Sequence, residues 1–433
     1  MAQRGSLALA FAAVLACTPL ASPTATTSTL PPQTASPSAR DRVLGWRADL
    51  ADLIPGMARL HPSLEHSVKR AELDTDVAAL SAAVPSWSDD QLLVGLMRIV
   101  AKVSARGCDG HTGLYVWGEG TYPVDSLPLR VWWFDEGVFV VDALPPYRDL
   151  IGSRVDAMNG HGMREVLAAL DPLVPRDNAE TVRLLTPRFL LIPQVLHGLG
   201  IASAGPIALA VAPAGGPSRS ITVAPIPMKD YNAWAGAYGL HLPSDPRVLY
   251  LARGEEPLWW TTLDGGALLY VQYNRVNYLS SSTFDDLRSA LRAASVAKIV
   301  VDIRHNYGGD VQASTPLLTA LQDAALPHGH LFVITGRNTF SAATMFLARL
   351  HDTTGAIVVG EPMGGCPNPI GNAQPVSLRF SGIVVMVATR PEIAMSVDDQ
   401  RLTIPPDLPA RLTPAAWLAR QDPALAAIRA YQP

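Results

Sequence analysis

The 433-residue sequence is poor in charged residues, in cysteine and in long apolar runs. Charged residues make up 17%, the formal net charge is −4 and no long basic run occurs, which argues against a nucleic-acid partner and against binding to an anionic membrane surface. No segment approaches the roughly 20 apolar residues needed to span a bilayer. Hydrophobic residues are abundant, at 48%, so the chain can bury a large core, and long disorder is expected only near its ends.

The first residues resemble an export signal. One positive charge, at Arg4, precedes an apolar run at residues 6–16. A basic start and a short apolar run are typical of a secretory signal, so residues 1–16 are predicted to be a signal peptide. Residues 14–17 (VLAC) resemble a bacterial lipobox, which predicts cleavage before Cys17 and lipidation of that cysteine. The alternative is an ordinary signal that is cleaved elsewhere.

The segment after this signal has the composition of a tether. Residues 17–42 are rich in Pro, Ser, Thr and Ala and contain almost no large apolar side chain. They cannot form a core, which predicts a disordered link between lipid and folded domain. The sequence therefore predicts an exported, extracytoplasmic protein, in the periplasm or at the cell surface, that meets a membrane only through an N-terminal lipid. It leaves the oligomeric state open.

The rest of the chain divides by its hydrophobic periodicity. Apolar residues at helical spacing predict a helical N-terminal domain over residues 43–115. Residues 116–225 are β-rich, and a strand, an Asn-Gly turn and a helix within them resemble a PDZ-type module. A connecting segment, residues 226–266, leads to residues 267–433, where strands and helices alternate. That alternation predicts a mainly parallel sheet covered by helices, and hence an α/β fold class.

Two loops after predicted strands of the last region carry residues suited to acyl-transfer chemistry. Residues 300–310 (VVDIRHNYGGD) end a strand at Gly308 and Gly309, whose N–H groups can point at a ligand and stabilise an oxyanion. Residues 334–343 (ITGRNTFSAA) end another strand and place Ser341 at the start of a helix, beside free N–H groups. The alternatives are a plain glycine turn and a serine that only caps a helix.

A histidine in residues 109–112 (DGHT) completes the candidate set. His111 lies in a polar, glycine-bounded turn between a helix and a β-type run. An imidazole there can take the proton of a serine hydroxyl and return it to the leaving group. His328 and His330 lie close together in the chain, but no further ligand stands near them at a useful spacing. No metal site and no cofactor are therefore predicted.

The order and spacing of these motifs resemble the tail-specific, or C-terminal processing, peptidase family. The resemblance covers most of the chain and rests on residues 302–309, 339–343, 358–365 (VVGEPMGG) and 404–407 (IPPD). It implies a crotonase-like core, often accompanied by a PDZ-like module, and a peptide or protein substrate. It also implies that Ser341 is the nucleophile, with an oxyanion hole formed by the N–H groups of Ala342, Gly308 and Gly309.

Departures from the common family pattern point to one branch. The Lys that serves as base in that pattern, within a Gly-Lys-Gly run, is absent, because residues 364–367 are Gly-Gly-Cys-Pro. Members that resemble the tricorn core use a His base in a turn like residues 109–112, which implies that His111 is the base. Thr344 stands where the family often has Glu.

The resemblance also implies a carboxylate that orients the base. Asp399 is preferred over Asp398 because such a group lies shortly before the closing motif, and Asp109 is a local alternative. A histidine base with an ordinary pKa predicts activity that rises as the pH increases through about 6–7.

Two cysteines remain after Cys17, and the resemblance places both beside catalytic motifs. Cys108 precedes His111 by three residues, and Cys366 stands where relatives carry the catalytic Lys. If both motifs meet at one active site, the two cysteines are neighbours, and an oxidising compartment favours a disulfide between them. Two unpaired thiols are the alternative.

The sequence therefore supports one main functional hypothesis and keeps an alternative open. The main hypothesis is an exported serine peptidase that acts through a Ser-His dyad or triad. The alternative is a non-catalytic ligand- or peptide-binding protein on the same fold. Presence of both Ser341 and His111 favours the peptidase. A crotonase-type acyl-CoA enzyme is disfavoured, because an exported protein would not meet cytoplasmic CoA.

Overall fold

The structure is a computed structural model that describes residues 38–118, 122–203, 205–236, 240–293 and 296–432. The predicted signal peptide, Cys17 and most of the tether lie outside the described residues. The tether prediction is wrong at its end, because residues 39–42 are helical and the Ser38 hydroxyl accepts the N–H of Asp41 as a cap. In the described ranges no helix is long and apolar enough to cross a membrane.

Three helices form the N-terminal region. They are α1 (Ala39–Leu60), α2 (Arg70–Ala83) and α3 (Asp89–Ala101). Helix α3 begins at a capping box, in which Ser88 and Gln91 satisfy each other's backbone N–H groups. The apolar faces of the helices pack into the same hydrophobic core as the sheet that follows them in the chain.

The middle region is built on an antiparallel sheet. Its elements are β1 (Gly113–Leu114), β2 (Asp125–Ser126), β3 (Leu129–Phe134), β4 (Gly137–Ala143), β5 (Arg154–Met158), β6 (His161–Gly162), α4 (Met163–Leu170), α5 (Ala179–Phe189), α6 (Pro193–Gly198), β7 (Ile207–Ala212), β8 (Arg219–Val223), β9 (Ile226–Pro227), α7 (Met228–Ala235) and α8 (Leu249–Ala252). The sheet order is β3-β4-β5-β7-β8, with β6 paired to β5. The predicted β-rich character is confirmed, and β2 and β9 pair separately.

The C-terminal region contains the parallel sheet that the sequence predicts. Its elements are β10 (Leu258–Leu263), β11 (Leu268–Tyr273), α9 (Ser281–Leu291), β12 (Lys298–Asp302), α10 (Thr315–Asp323), β13 (Leu331–Thr335), α11 (Ala342–Thr354), β14 (Ile357–Gly360), β15 (Ile370–Gly371), β16 (Gln374–Ser377), β17 (Val384–Val387), β18 (Arg390–Pro391), β19 (Leu408–Pro409), α12 (Pro414–Leu418) and α13 (Pro423–Ala430). The order is β10-β11-β12-β13-β14-β19, and every pair except β10–β11 is parallel. Helices α9 to α11 cover one face and α13 the other, so β13 and β14 are buried throughout.

One strand pairing connects the two ends of the chain. The hairpin β16–β17 belongs to the C-terminal region, yet β17 pairs antiparallel with β1, where Gly113 faces Met386. On the other side of the hairpin, the Asp49 carboxylate of α1 accepts the N–H groups of Phe380 and Ser381. These contacts tie the turn just before β1, which contains His111, to a hairpin of the C-terminal region.

Candidate active site

Ser341 lies in the turn between β13 and α11. Its backbone has φ +54° and ψ −127°, a conformation that is rare for a residue with a side chain and that marks functional sites. Its hydroxyl makes no capping hydrogen bond to the helix. The alternative that Ser341 serves only as a helix cap is therefore contradicted by the structure, and the hydroxyl is available for another partner.

That partner is His111, whose Nε2 lies 3.0 Å from Ser341 Oγ. The ring of Phe340 stacks on the imidazole, with 4.7 Å between the ring centroids. Burial lowers the pKa of His111 to about 4, and the negative charge of Asp109 opposes that shift only in part. The imidazole is therefore neutral at pH 7, which is the form that can accept the hydroxyl proton.

Gly308, the first of the paired glycines, lies against Ser341. A Cβ on Gly308 would come within 2.7 Å of Ser341 Cβ and 2.9 Å of Ala342 N, so only glycine fits. The N–H of Gly308, however, donates to the Asn306 side chain at 2.9 Å. Within the described residues no acceptor is assigned to the N–H of Gly309 or of Ala342. These two N–H groups therefore have no assigned acceptor, whereas the N–H of Gly308 is already bound, contrary to the prediction that it is free for an oxyanion.

Asn306 organises this loop. Its side-chain oxygen accepts the N–H of Gly308, its amide nitrogen donates to the carbonyl of Tyr273 at 2.9 Å, and its own carbonyl accepts the N–H of Phe340 at 3.0 Å. Asn306 is fully buried. One side chain therefore sets the distance between the glycine loop, strand β11 and the turn that carries the nucleophile.

A disulfide joins Cys108 to Cys366, with the two Cα atoms 5.3 Å apart. We call residues 108–112 the base turn and residues 363–367 the Cys366 loop. Thr344 Oγ1 lies 2.7 Å from both the Ser341 carbonyl and the Cys366 carbonyl, so helix α11 also contacts the Cys366 loop. The bridge and this contact bring the base turn and the nucleophile helix to one place.

The structure does not bring Asp399 to the base. The Asp399 carboxylate accepts hydrogen bonds from Arg401, which lowers its pKa. His111 Nδ1 is buried and has no hydrogen-bond partner among the described residues. The prediction that Asp399 orients the base is therefore wrong, and neither Asp398 nor Asp109 makes that hydrogen bond.

Asp109 is held by two other histidines. Its Oδ2 lies 3.0 Å from His61 Nε2 and 3.2 Å from His66 Nε2. Three such groups can hold a metal ion. However, the N–H of Ser63 donates to His61 Nδ1 at 3.0 Å, so the proton of the neutral ring lies on Nε2, the atom a metal would need. His61 therefore donates to Asp109, His66 Nε2 contacts the same carboxylate oxygen, and this network anchors the base turn to the chain after α1.

Among the described residues, His328 and His330 do not form a group of possible metal ligands. His330 Nδ1 lies 2.7 Å from the Ala297 carbonyl, and His328 is exposed. Sequence analysis missed the bracing role of Asn306, which lies within the motif at residues 302–309. It also missed the buried His61 and Asp177 and the half-buried His66, none of which lies in a recognised motif. Asp177 accepts the N–H groups of Gly110 and Cys366.

Comparison with known proteins reveals a shared fold at low sequence identity. No protein-family model and no curated protein sequence matches the chain. A crystal structure of a serine-to-alanine mutant of CPAF has a TM-score of 0.60 and 12% identity, covering 90% of this chain and 99% of that one. Mature CPAF complexed with lactacystin has a TM-score of 0.59 and 12% identity, with coverages of 87% and 96%. The chain therefore has a mixed α/β fold like that of CPAF.

Proposed function

We propose that this chain is a serine peptidase that cleaves peptide bonds through Ser341 and His111. The observation that carries the proposal is the 3.0 Å contact between His111 Nε2 and Ser341 Oγ. The two residues belong to separate motifs, and the contact has the length that proton transfer requires. A positive φ at Ser341 and a glycine that leaves no space beside it support the same conclusion.

The geometry suggests the sequence of steps. His111 Nε2 takes the hydroxyl proton as Ser341 Oγ attacks the substrate carbonyl carbon. The oxygen of that carbonyl becomes negative and receives hydrogen bonds from the N–H groups of Gly309 and Ala342. His111 then protonates the leaving nitrogen, and water repeats the attack on the acyl-enzyme. Because Nε2 must be free to accept, the neutral imidazole carries its proton on Nδ1.

We further infer that the chain is a tail-specific peptidase of the branch with a histidine base, with a crotonase-like core and a PDZ-like middle module. The absence of a Lys from the Cys366 loop and the parallel sheet β11–β14 support this assignment. The antiparallel sheet with helix α4 after β6 supports the assignment of the module.

Export and anchoring through a lipid at Cys17 are part of the same proposal. They rest on the N-terminal sequence, and the disulfide agrees with an oxidising compartment. Mass spectrometry of the mature N-terminus tests them. A diacylglyceryl-modified Cys17 is expected, and an unmodified N-terminus at another residue would contradict the anchor.

The decisive experiment is labelling with a fluorophosphonate, followed by turnover of a peptide library. Wild type should be labelled at Ser341 and should cleave peptides. Ser341→Ala should abolish both, and His111→Ala should reduce both by several orders of magnitude. Ser314→Ala is the control, because Ser314 also directly precedes a helix, and its hydroxyl donates to the nearby Val311 carbonyl with no other side-chain partner among the described residues.

The same experiment separates the alternative function. A peptide-binding protein without catalysis would bind library peptides, resist the label at Ser341 and release no products. Full activity of the His111→Ala variant would instead show that the protein is a hydrolase but that His111 is not its base.

A further inference from the structure

Asp177 is a completely buried carboxylate that the catalytic steps do not use. It lies just before α5, far in sequence from both members of the dyad. Within the described residues no Lys, Arg or His forms an ion pair with it. A buried carboxylate without a cation is costly, and such groups are retained where their hydrogen bonds serve a purpose.

The hydrogen bonds of Asp177 connect the base turn to the Cys366 loop. Its Oδ1 accepts the N–H of Gly110 at 2.5 Å, and its Oδ2 accepts the N–H of Cys366 at 3.0 Å. Its backbone carbonyl accepts the N–H of Cys108 at 3.0 Å. Gly110 immediately precedes His111, so one oxygen of this carboxylate fixes the peptide unit next to the base.

The residues after Asp177 extend this clamp. Asn178 Nδ2 lies 3.1 Å from the Met363 carbonyl and 2.8 Å from the Leu402 carbonyl. The hydroxyl of Thr181 accepts the N–H of Asp177 and donates to the Gly364 carbonyl. The start of α5 therefore holds the Cys366 loop from one side, and Asp177 reaches from it to the base turn.

The pattern of donors matches the ionised form of Asp177. Each carboxylate oxygen faces a backbone N–H, so a proton on either oxygen would point at a donor and break one of the two bonds. The titratable groups nearby are Asp109, whose charge disfavours ionisation of Asp177, and Tyr115, whose hydroxyl donates to the Gly110 carbonyl. His61 and His66 bind Asp109 from its other side.

We propose that Asp177 is a positioning residue of the active site, which in its ionised form holds His111 at the correct distance from Ser341. The proposal rests on the Ser341–His111 function. Loss of one N–H bond frees either the peptide before the base or the loop to which the base turn is bridged. A displacement of about 1 Å in a catalytic group can cost about 100-fold in rate.

Two pKa values give this proposal a distinct pH signature. Burial raises the pKa of Asp177 to about 7, although the N–H groups of Gly110 and Cys366 oppose the shift. The pKa of His111 is lowered to about 4. As the pH falls, Asp177 is therefore protonated well before His111, and activity should fall near pH 7 while the base is still neutral.

The test compares pH profiles of kcat for wild type, Asp177→Asn and Asp171→Asn. Asparagine has the same shape but offers one acceptor oxygen, so one of the two N–H bonds is lost at every pH. Asp177→Asn should lower kcat about 10- to 100-fold at about pH 8 with KM changed less than about threefold. Its acid limb should move from near pH 7 to near pH 4. Asp171 is an aspartate that contacts Arg176 at the surface, so its variant should match wild type.

Two results would overturn the proposal. One is an acid limb that stays near pH 7 in Asp177→Asn, and the other is wild-type kcat in that variant. If the variant does not fold, hydrogen exchange of wild type replaces it. The protection factors of the Gly110 and Cys366 amides should fall together below about pH 7, and constant protection would contradict the clamp. If wild-type protein shows neither labelling nor turnover at any pH, the proposed Ser341–His111 function is refuted. The hydrogen-exchange measurement would still test whether Asp177 holds the Gly110 and Cys366 amides.

Discussion

At the scale of single residues, the closest fit in the site is between Gly308 and Ser341. A Cβ at position 308 would lie 2.7 Å from Ser341 Cβ, at a φ of +106°. Gly308→Ala should therefore reduce turnover more than about 100-fold, because the glycine loop and the nucleophile must separate. Peptide turnover and fluorophosphonate labelling measure the loss.

The control for that variant is Gly382→Ala in the turn of the hairpin β16–β17. Gly382 also has a positive φ, +71°, but nothing lies within 4 Å of the position of its Cβ. The Gly382→Ala variant should therefore have the same kind of backbone strain as Gly308→Ala, but its activity should equal that of wild type. A Gly308→Ala enzyme within about threefold of wild type would contradict the close approach.

The charge of Asp177 has a second consequence, for stability. Its pKa is about 7 in the folded chain and 3.8 as the ordinary value. Because the pKa of Asp177 is raised in the folded state, the contribution of this group to the unfolding free energy is fully present below about pH 4. That contribution is lost as the pH rises through about 7. The loss is on the order of 4 kcal/mol at about 1.4 kcal/mol per pH unit.

Chemical denaturation at several pH values measures this effect. The unfolding free energy of wild type should carry a downward slope between about pH 4 and 7 that is absent from Asp177→Asn. Identical slopes in the two proteins would show that Asp177 does not titrate in this range.

The meeting of Ser341 and His111 could be predicted from sequence, but the contacts that support it could not. Ser341, His111 and the two cysteines lie in short motifs whose chemistry is visible locally. Asp177 lies in no such motif, and its partners are brought to it only by tertiary folding. The preference for Asp399 failed for a related reason, because Arg401, two residues later, takes its carboxylate. The expectation that activity rises through about pH 6–7 assumed an ordinary pKa for His111 and did not include the effect of burial, which lowers that pKa to about 4.

At the scale of elements, the disulfide between Cys108 and Cys366 closes a loop with a sequence separation of 258. Replacing both cysteines with alanine should lower the unfolding free energy by about 2–5 kcal/mol, because the unfolded chain gains freedom. Activity should fall less than on loss of His111, because Asp177 still contacts both loops. Denaturation of the double variant tests this, and non-reducing peptide mapping of wild type that finds free thiols on both cysteines would contradict the bridge.

Strong local signals made the central elements predictable. The predicted alternation of strands and helices in residues 267–433 is present as β11, α9, β12, β13 and α11. Their apolar periodicity is long and regular. The pairing of β1 with β17 had no comparable signal, since two-residue strands take their conformation from the strand they contact.

At the scale of the whole molecule, the proposed dyad joins distant parts of the chain, because His111 and Ser341 are 230 residues apart in a sequence of 433. Unfolded protein that keeps its disulfide should regain fluorophosphonate labelling faster than reduced protein, since the long loop between Cys108 and Cys366 is already closed. Labelling at intervals after dilution from denaturant measures the two rates. Equal half-times would show that closing this loop does not limit assembly of the site.

The pairing of β1 with β17 has a consequence for biosynthesis. A ribosome completes the base turn long before it adds the nucleophile, and the hairpin that holds β1 in place follows later still. A nascent chain can contain a finished N-terminal region and still lack any means of hydrolysis. If Ser341 and His111 act as proposed, the catalytic pair is assembled only when nearly the entire polypeptide has been made, and we expect an incomplete translation product to be inert.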